Sequence, residues 1–419
     1  MRIEVVTIGD ELLLGYTIDT NAAHLARELA SLGVEIVRRT TVGDTAEHIA
    51  DAVKEALART GAVITTGGLG PTSDDLTKPS IAALFGRRMV LDDQHLAWMR
   101  DRWTTRWPDR PMPEANRQQA MMPEGARKLA NNHGSAPGIW LEDEEGRWVA
   151  MLPGVPREMR GMLADTLLPL VRERAGSGTS VVRSRTLRST GVAESLVADR
   201  IASIPGGVGD VELAYLPNLA GVDLRVTVRG AAPKDADERL AAAAERIRSV
   251  MGHAIYGEND ADLAATVLDA CRSRHLTVGV AESCTGGLLG ARLTAVAGSS
   301  DVFHGGVIAY SNAIKSSLLG VPADLLREHG AVSEPVVRAM ASGGRVALHV
   351  DAVLAITGIA GPSGGTAAKP VGTVWIALDL QGAVEVRELR LWGDREEIRQ
   401  RAAQAALELL RRTLQATPN

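Results

Sequence analysis

Short β-branched runs that stop abruptly at glycine, each followed by a segment of helical period, recur along this chain of 419 residues. Ile3-Glu4-Val5-Val6-Thr7-Ile8 ends at Gly9, and Ala62-Val63-Ile64-Thr65-Thr66 runs into Gly67-Gly68-Leu69-Gly70-Pro71. Between them, Leu25, Leu29 and Leu32 recur at i, i+4 and i+7, and Ile49, Val53, Ala56 and Leu57 mark another helical face. A strand is also expected at 34–37. Strands alternating with helices at this spacing admit few folds besides a parallel, doubly wound α/β sheet. Residues 139–152, interrupted by Glu142-Asp143-Glu144-Glu145-Gly146, read as a hairpin added to that sheet, and a helix near 157–174 closes the unit.

At roughly 150 residues per domain the length allows about three domains. Gly176-Ser177-Gly178-Thr179-Ser180 has linker composition. After it the order becomes strand (181–188), helix (192–204), two strands about Pro217-Asn218-Leu219-Ala220-Gly221, and an Ala-rich helix (234–250), a small α+β unit. A third domain resumes the α/β pattern. Its helix (263–274) precedes a strand (276–280) that runs into Ala281-Glu282-Ser283-Cys284-Thr285-Gly286-Gly287. Strands follow at 307–310 and 352–356, then a pair at 374–380 and 384–391, and a final helix that Asp394 caps. The expected boundaries are 1–174, 175–257 and 258–419.

Composition narrows the function. Hydrophobic residues make up 45% and charged residues 23%, enough to build real cores. A net charge of −5 argues against a nucleic-acid coat protein and against a polybasic membrane binder. Aromatics at 3% argue against base-stacking platforms. Cys271 and Cys284 cannot form a disulfide framework or a Cys-rich zinc site. No apolar run approaches the ~18 residues of a membrane span, and the N-terminus carries acids at once, so a cytoplasmic protein is expected.

Ligands of open α/β sheets bind beyond the carboxyl ends of the strands. In the first domain Gly67, Gly68, Gly70, Thr72 and Ser73 lie there, where glycine amides and a helix N-terminus suit a phosphate. Asp10, Glu11, Asp74 and Asp75 lie beside them, oxygen ligands of the kind a hard divalent cation needs. The plain alternative is a set of turns with a helix cap. The loop is neither a Walker motif nor GxGxxG. In the third domain Ser283 stands at a strand-to-helix turn, as either a helix cap or a nucleophile backed by amides. No histidine is tied to it, His304 being the nearest candidate. Tyr310 and Lys315 follow the next strand, and a partly buried lysine can act as base in a Ser–Lys pair. Thr357 offers a hydroxyl for a substrate amide or an oxyanion. Cys284 reads as a small buried hydrophobe.

The segments GDELLLG (9–15), TTGGLGPTSDD (65–75), NHGSAPG (132–138) and LPGVPREM (152–159) resemble the molybdopterin-binding-type domain of the CinA (competence/damage-inducible) family. AESCTGG, AYSN and TGIAGP resemble that family's C-terminal amidohydrolase domain, and the middle unit its KH-like domain. The resemblance spans essentially the whole chain. It implies a metal-dependent ADP-ribose pyrophosphatase in the first domain, with magnesium, manganese or cobalt at Asp10, Glu11, Asp74 and Asp75. It implies a nicotinamide mononucleotide (NMN) deamidase in the last, with no cofactor there. Ser283, Tyr310, Lys315 and Thr357 fall on the family's matching positions. From the residues themselves, Gly286, Gly287, Gly358 and Gly361 read as substrate contacts, and Arg399, with Arg395 at the start of the last helix, as a fork for a mononucleotide phosphate or else a surface pair with Glu396 or Asp394.

The expected partners are the small-molecule nucleotides NMN and ADP-ribose and a second copy of the chain, with no membrane and no nucleic acid. Gly206-Gly207-Val208-Gly209 fits the GxxG of RNA-binding KH modules, and Arg172, Arg174, Arg183, Arg185 and Arg188 form a basic stretch. The middle unit reads instead as a spacer and dimer contact. Two rival readings are a non-enzymatic partner in competence or recombination and a molybdopterin-binding module.

Overall fold

The computed structural model describes residues 1–176 and 181–416 and divides into two compact units, residues 1–183 with 228–237, and residues 184–227 with 238–419. Ser177 to Ser180 of the expected linker lie outside the described residues.

Ile3, Val5, Val6, Val63 and Ile64 are fully buried, as strands covered on both faces must be. They belong to β1 (Arg2–Ile8) and β3 (Ala62–Thr66) of a six-stranded sheet. β2 (Glu35–Val42) flanks β1, and β4 (Arg127–Leu129), β5 (Gly138–Glu142) and β6 (Trp148–Leu152) continue it in the order β2-β1-β3-β6-β5-β4. The β1, β2, β3 and β6 pairings are parallel, while β5 and β4 add antiparallel, so the hairpin expected at 139–152 is present. The helix expected at 157–174 is two helical pieces, Pro156–Met162 and Leu168–Ala175, joined by a π-helical turn at Leu163–Leu167. Sequence periodicity gave no sign of the helix Asp93–Arg106, whose capping residue Asp92 accepts from the His95 amide at 2.9 Å. Its tryptophans and arginines mask any apolar stripe.

β7 (Val181–Ser189), β8 (Glu212–Asn218), β9 (Gly221–Ala231) and β10 (Ile255–Glu258) form a sheet in the order β8-β9-β7-β10. The GxxG stretch is a turn between the helix Glu194–Ala202 and β8, and its Gly207 carbonyl accepts from Arg246. The basic stretch is largely spent on carboxylates: Arg174 pairs with Glu142, Arg183 with Asp237, Arg185 with Glu258 and Arg188 with Asp223. Residues 184–227 share a unit with the last domain, where Gln404 donates to Thr190 Oγ1 at 3.1 Å and Arg411 donates to the His253 carbonyl.

The last domain holds β11 (Val278–Glu282), β12 (Phe303–Ile308), β13 (Ala352–Gly358), β14 (Thr373–Leu380) and β15 (Ala383–Arg390). Their order is β12-β11-β13-β14-β15, with β12, β11 and β13 parallel and the last two antiparallel. The closing helix Arg395–Ala416 packs Ile398, Ala402, Ala406 and Leu409 into the core. It opens on a reciprocal capping box. The Glu397 amide donates to Asp394 Oδ1 and the Asp394 amide to Glu397 Oε2, both at 2.9 Å.

Candidate active site

The register of the last sheet sets three turns side by side. Glu282 pairs with Ile308 on one flank and Ile356 on the other. Ser283 and Ala309 therefore leave the sheet level with Thr357, which lies near the end of β13. The Ser283 amide donates to the Ile356 carbonyl at 2.9 Å, and the Ala309 amide to the Glu282 carbonyl at 2.7 Å. The short helix Asn312–Leu319 then starts at Ser311, whose hydroxyl accepts from the Ile314 amide. Helical side chains lean toward the N-terminus, and Lys315 accordingly reaches back over the rim.

Lys315 Nζ lies 3.0 Å from Ser283 Oγ and 2.7 Å from the Ala309 carbonyl. It is only 1% exposed, and burial holds its pKa below the ordinary lysine value, with Cys284 pulling weakly the other way. A lysine in this setting gives up its third proton more readily than one in water. Cys284 is buried and its thiol is pushed up to about 12 by burial, which fits the expected inert hydrophobe. A pocket of ≈260 Å³ opens above the pair. Tyr310, Thr357, Gly358, Gly361 and Arg395 contribute to its lining, alongside Ser283, Cys284 and Lys315.

The four expected catalytic residues do not stand equally. The Thr357 hydroxyl donates to the Ala331 carbonyl at 2.8 Å. A hydroxyl has one proton, so in this arrangement Thr357 can accept from a substrate amide but has none left for an oxyanion. Tyr310 is 62% exposed and its hydroxyl accepts from Arg395 at 3.1 Å, which puts it at the mouth and not against Ser283. Three expected substrate contacts need correction. The Gly286 amide donates to the Ser283 carbonyl and the Gly287 amide to Glu282, so neither faces the pocket free. Arg399 donates to the Thr285 carbonyl at 2.8 Å and pairs with Glu396, while its neighbour Arg395 is the arginine that lines the pocket.

Glu282 was missed altogether. It is 1% exposed, and its carboxylate accepts from the amides of Gly287, Leu289 and Gly290 at 2.8–3.1 Å. It caps the helix Leu288–Thr294 and anchors the turn that holds Ser283. Its one sequence signal was a carboxylate inside an otherwise apolar strand.

The corresponding rim of the first domain is tied into itself. Asp75 accepts from the Gly70 amide at 2.7 Å and from both the amide and the hydroxyl of Thr72 at 2.8 and 2.5 Å. Gly67 and Gly68 serve close packing. A Cβ on Gly67 would sit 2.1 Å from the Ile8 carbonyl oxygen, and one on Gly68 2.1 Å from Thr77 Oγ1. The Gly67 amide is already bonded to the Leu152 carbonyl. Gly70, Thr72 and Ser73 do line a pocket, of ≈250 Å³. Lys78, a second residue the sequence did not mark, lines it too. It is 3% exposed, donates to the carbonyls of Gln118 and Gln119, and is brought down to about 8 by burial.

The expected metal set does not fit this arrangement. Asp75 already accepts three hydrogen bonds, and among the described residues no three His, Cys, Asp or Glu side chains gather closely enough to hold one ion. Asp10 is bonded instead to Asp44 through their carboxylates and amides. The Asp44 carboxyl is raised, first by burial and further by the charges of Asp10, Glu11 and Asp74.

Comparison with known proteins follows these three modules. Residues 4–173 match a family described as a probable molybdopterin binding domain, 184–257 the damage-inducible protein CinA KH domain, and 260–414 the CinA C-terminal domain. The fold is thus that of a three-module protein with a molybdopterin-binding-like first domain. A CinA-like protein of Gemmatimonas aurantiaca is 61% identical over 98% of this chain and 96% of its own. A putative competence-damage inducible protein of Desulforudis audaxviator is 43% identical over 98% of each. A solved CinA superfamily protein of Klebsiella pneumoniae, 37% identical, covers 37% of this chain and 97% of its own, with a TM-score of 0.36. The chain belongs to the CinA family.

Proposed function

We propose that the last domain hydrolyses the carboxamide of nicotinamide mononucleotide to nicotinic acid mononucleotide and ammonia, with Ser283 as nucleophile and Lys315 as base. The 3.0 Å approach of Lys315 Nζ to Ser283 Oγ, in a buried setting that favours the neutral amine, is the observation that carries this reading. The neutral amine takes the hydroxyl proton as Oγ bonds to the carboxamide carbon. The resulting ammonium returns that proton to the departing nitrogen as the C–N bond breaks. Water, deprotonated by the same amine, then cleaves the acyl-serine ester. The Cys284 amide, bonded to no other backbone group among the described residues, is the donor nearest in the chain for the oxyanion. Thr357 Oγ1 accepts from the substrate carboxamide. The nicotinamide ring fills the ≈260 Å³ pocket and the ribose phosphate lies toward Arg395 at the mouth.

For the first domain we propose hydrolysis of the pyrophosphate of ADP-ribose. The pocket of Gly70, Thr72 and Ser73 at the strand ends supports binding there. No step is routed through a metal, since the side chains as placed do not form its site.

Ammonia release from nicotinamide mononucleotide by the full chain and by Ser283→Ala tests the main reading. Release by the wild type that falls at least about 10³-fold in the variant is expected. Equal, negligible release from both would replace the amidase with a partner-binding role, the role the relatives' competence names suggest.

A further inference from the structure

A composition with 3% aromatics conceals one local concentration. Trp98, Trp103 and Trp107, three of the chain's seven tryptophans, fall within ten residues on the helix Asp93–Arg106 and its cap. With Arg102, Arg106 and Arg157 they line a pocket of ≈400 Å³ in the first domain. That volume is within the range of about 300–1,000 Å³ typical of small-molecule sites. Trp98 and Trp107 are 39% and 37% exposed, unusual for the largest apolar side chain. The Arg102 guanidinium stands 5.3 Å from the Trp98 ring centre and that of Arg106 4.8 Å from the Trp107 ring. Trp103 packs on Trp107 at 4.3 Å and donates its indole N–H to the Arg110 carbonyl, so the second indole is braced from within.

None of the three arginines forms an ion pair among the described residues, unlike Arg59, Arg272 and Arg399. The pocket's one carboxylate, Glu158, is engaged by the Asn131 amide at 2.6 Å. The site thus sets indoles, one of them stacked on His95 at 5.2 Å, beside three arginines and a single carboxylate, in a protein of net charge −5. Arg157 also ties it to the strand ends. It follows Gly154 by three residues, and a Cβ on Gly154 would lie 3.4 Å from the Cα of Gly67.

We infer that this pocket binds the purine nucleotide half of the first domain's substrate, the ring stacking on Trp98 or Trp107 and the phosphate meeting Arg157. The inference rests on the proposed ADP-ribose reading for its substrate, and it names the residues that choose a base-bearing ligand over a bare sugar phosphate. Stacking suits an exposed indole because every base offers a π-face, and a mobile guanidinium gives way to a ring or sandwiches it.

Titration of the full chain with AMP, followed by tryptophan fluorescence and calorimetry, tests it against ribose 5-phosphate. Saturable quenching by AMP is expected. The Kd should rise about tenfold or more in Trp98→Ala/Trp107→Ala, and much less in Trp98→Phe/Trp107→Phe, which keeps a π-face. Ribose 5-phosphate should bind weakly and indifferently to these changes. A urea unfolding transition of the first domain equal to that of the wild type shows that the variants are folded. AMP binding equally to wild type and the alanine variant overturns the inference, as does a change of oligomeric state in that variant with AMP affinity intact. AMP binding through the tryptophans without any ADP-ribose cleavage upholds the pocket and removes the hydrolase reading. Cleavage with the same KM in the alanine variant does the reverse.

Discussion

Two lysines are buried at strand ends in this protein, one in each α/β domain, and they show what makes such a residue chemically useful. Lys78 is 3% exposed and Lys315 1%, and burial lowers the pKa of both. Lys78 gives its protons to two main-chain carbonyls, Gln118 and Gln119. Lys315 also bonds carbonyls, those of Ala309 and Tyr310, but its remaining partner is the Ser283 hydroxyl. Desolvation readies both amines. The second also bonds a hydroxyl, because three parallel strands bring residues 283, 309 and 357 to one level there.

The sharpest way to break this contrast is to remove each amine. Lys315→Met should cut ammonia release from nicotinamide mononucleotide by about 10²–10⁴-fold and leave ADP-ribose cleavage unchanged. The pH profile supplies a second reading. The base acts neutral, so the wild-type rate should climb with pH through the Lys315 pKa, below the ordinary lysine range. Residual activity in the variant should lose that climb, and a climb that persists would assign the base elsewhere.

Lys78→Met should behave differently. Two carbonyls lose their donor, for which about 1–3 kcal/mol of stability is the expected cost in urea unfolding. A fall of 100-fold or more in ADP-ribose cleavage, with folding intact, would make Lys78 a catalytic group and end the distinction. Glu282→Gln probes the scaffold behind Ser283. Replacing a carboxylate that accepts three amides should cost a similar ~1–3 kcal/mol. An unfolding midpoint equal to wild type would deny it the anchoring role.

Arg395→Ala is the mildest test. A lost charge-assisted contact should raise KM for nicotinamide mononucleotide about tenfold and leave nicotinamide riboside, which has no phosphate, nearly unaffected. Equal effects on both substrates would move the phosphate site away from the mouth.

Much of the architecture was readable in advance because burial on both faces leaves plain, β-branched runs, and glycine marks where they stop. The parallel core strands, the added hairpin and the paired strands β14 and β15 all declare themselves this way. The helix Asp93–Arg106 did not, since Trp98, Trp103, Trp107 and the arginines between them carry no apolar period. Aromatic content averaged over 419 residues likewise hid the tryptophan-lined pocket.

At the site, residue type and strand-end position picked out Ser283 and Lys315. Which amides were free was beyond their reach. Gly286, Gly287 and Arg399 looked available until Glu282 and the Thr285 carbonyl claimed them. Asp75 looked like a metal ligand until Thr72 and Gly70 took up its oxygens. Amino-acid order alone therefore settled the modules, the sheet type and the rim on which chemistry sits, because periodicity and glycine placement are local properties. Hydrogen-bond supply and desolvation depend on neighbours tens of residues away. Only the folded chain decided that residue 315 comes within 3.0 Å of residue 283 while Asp75 of the first domain bonds into its own loop.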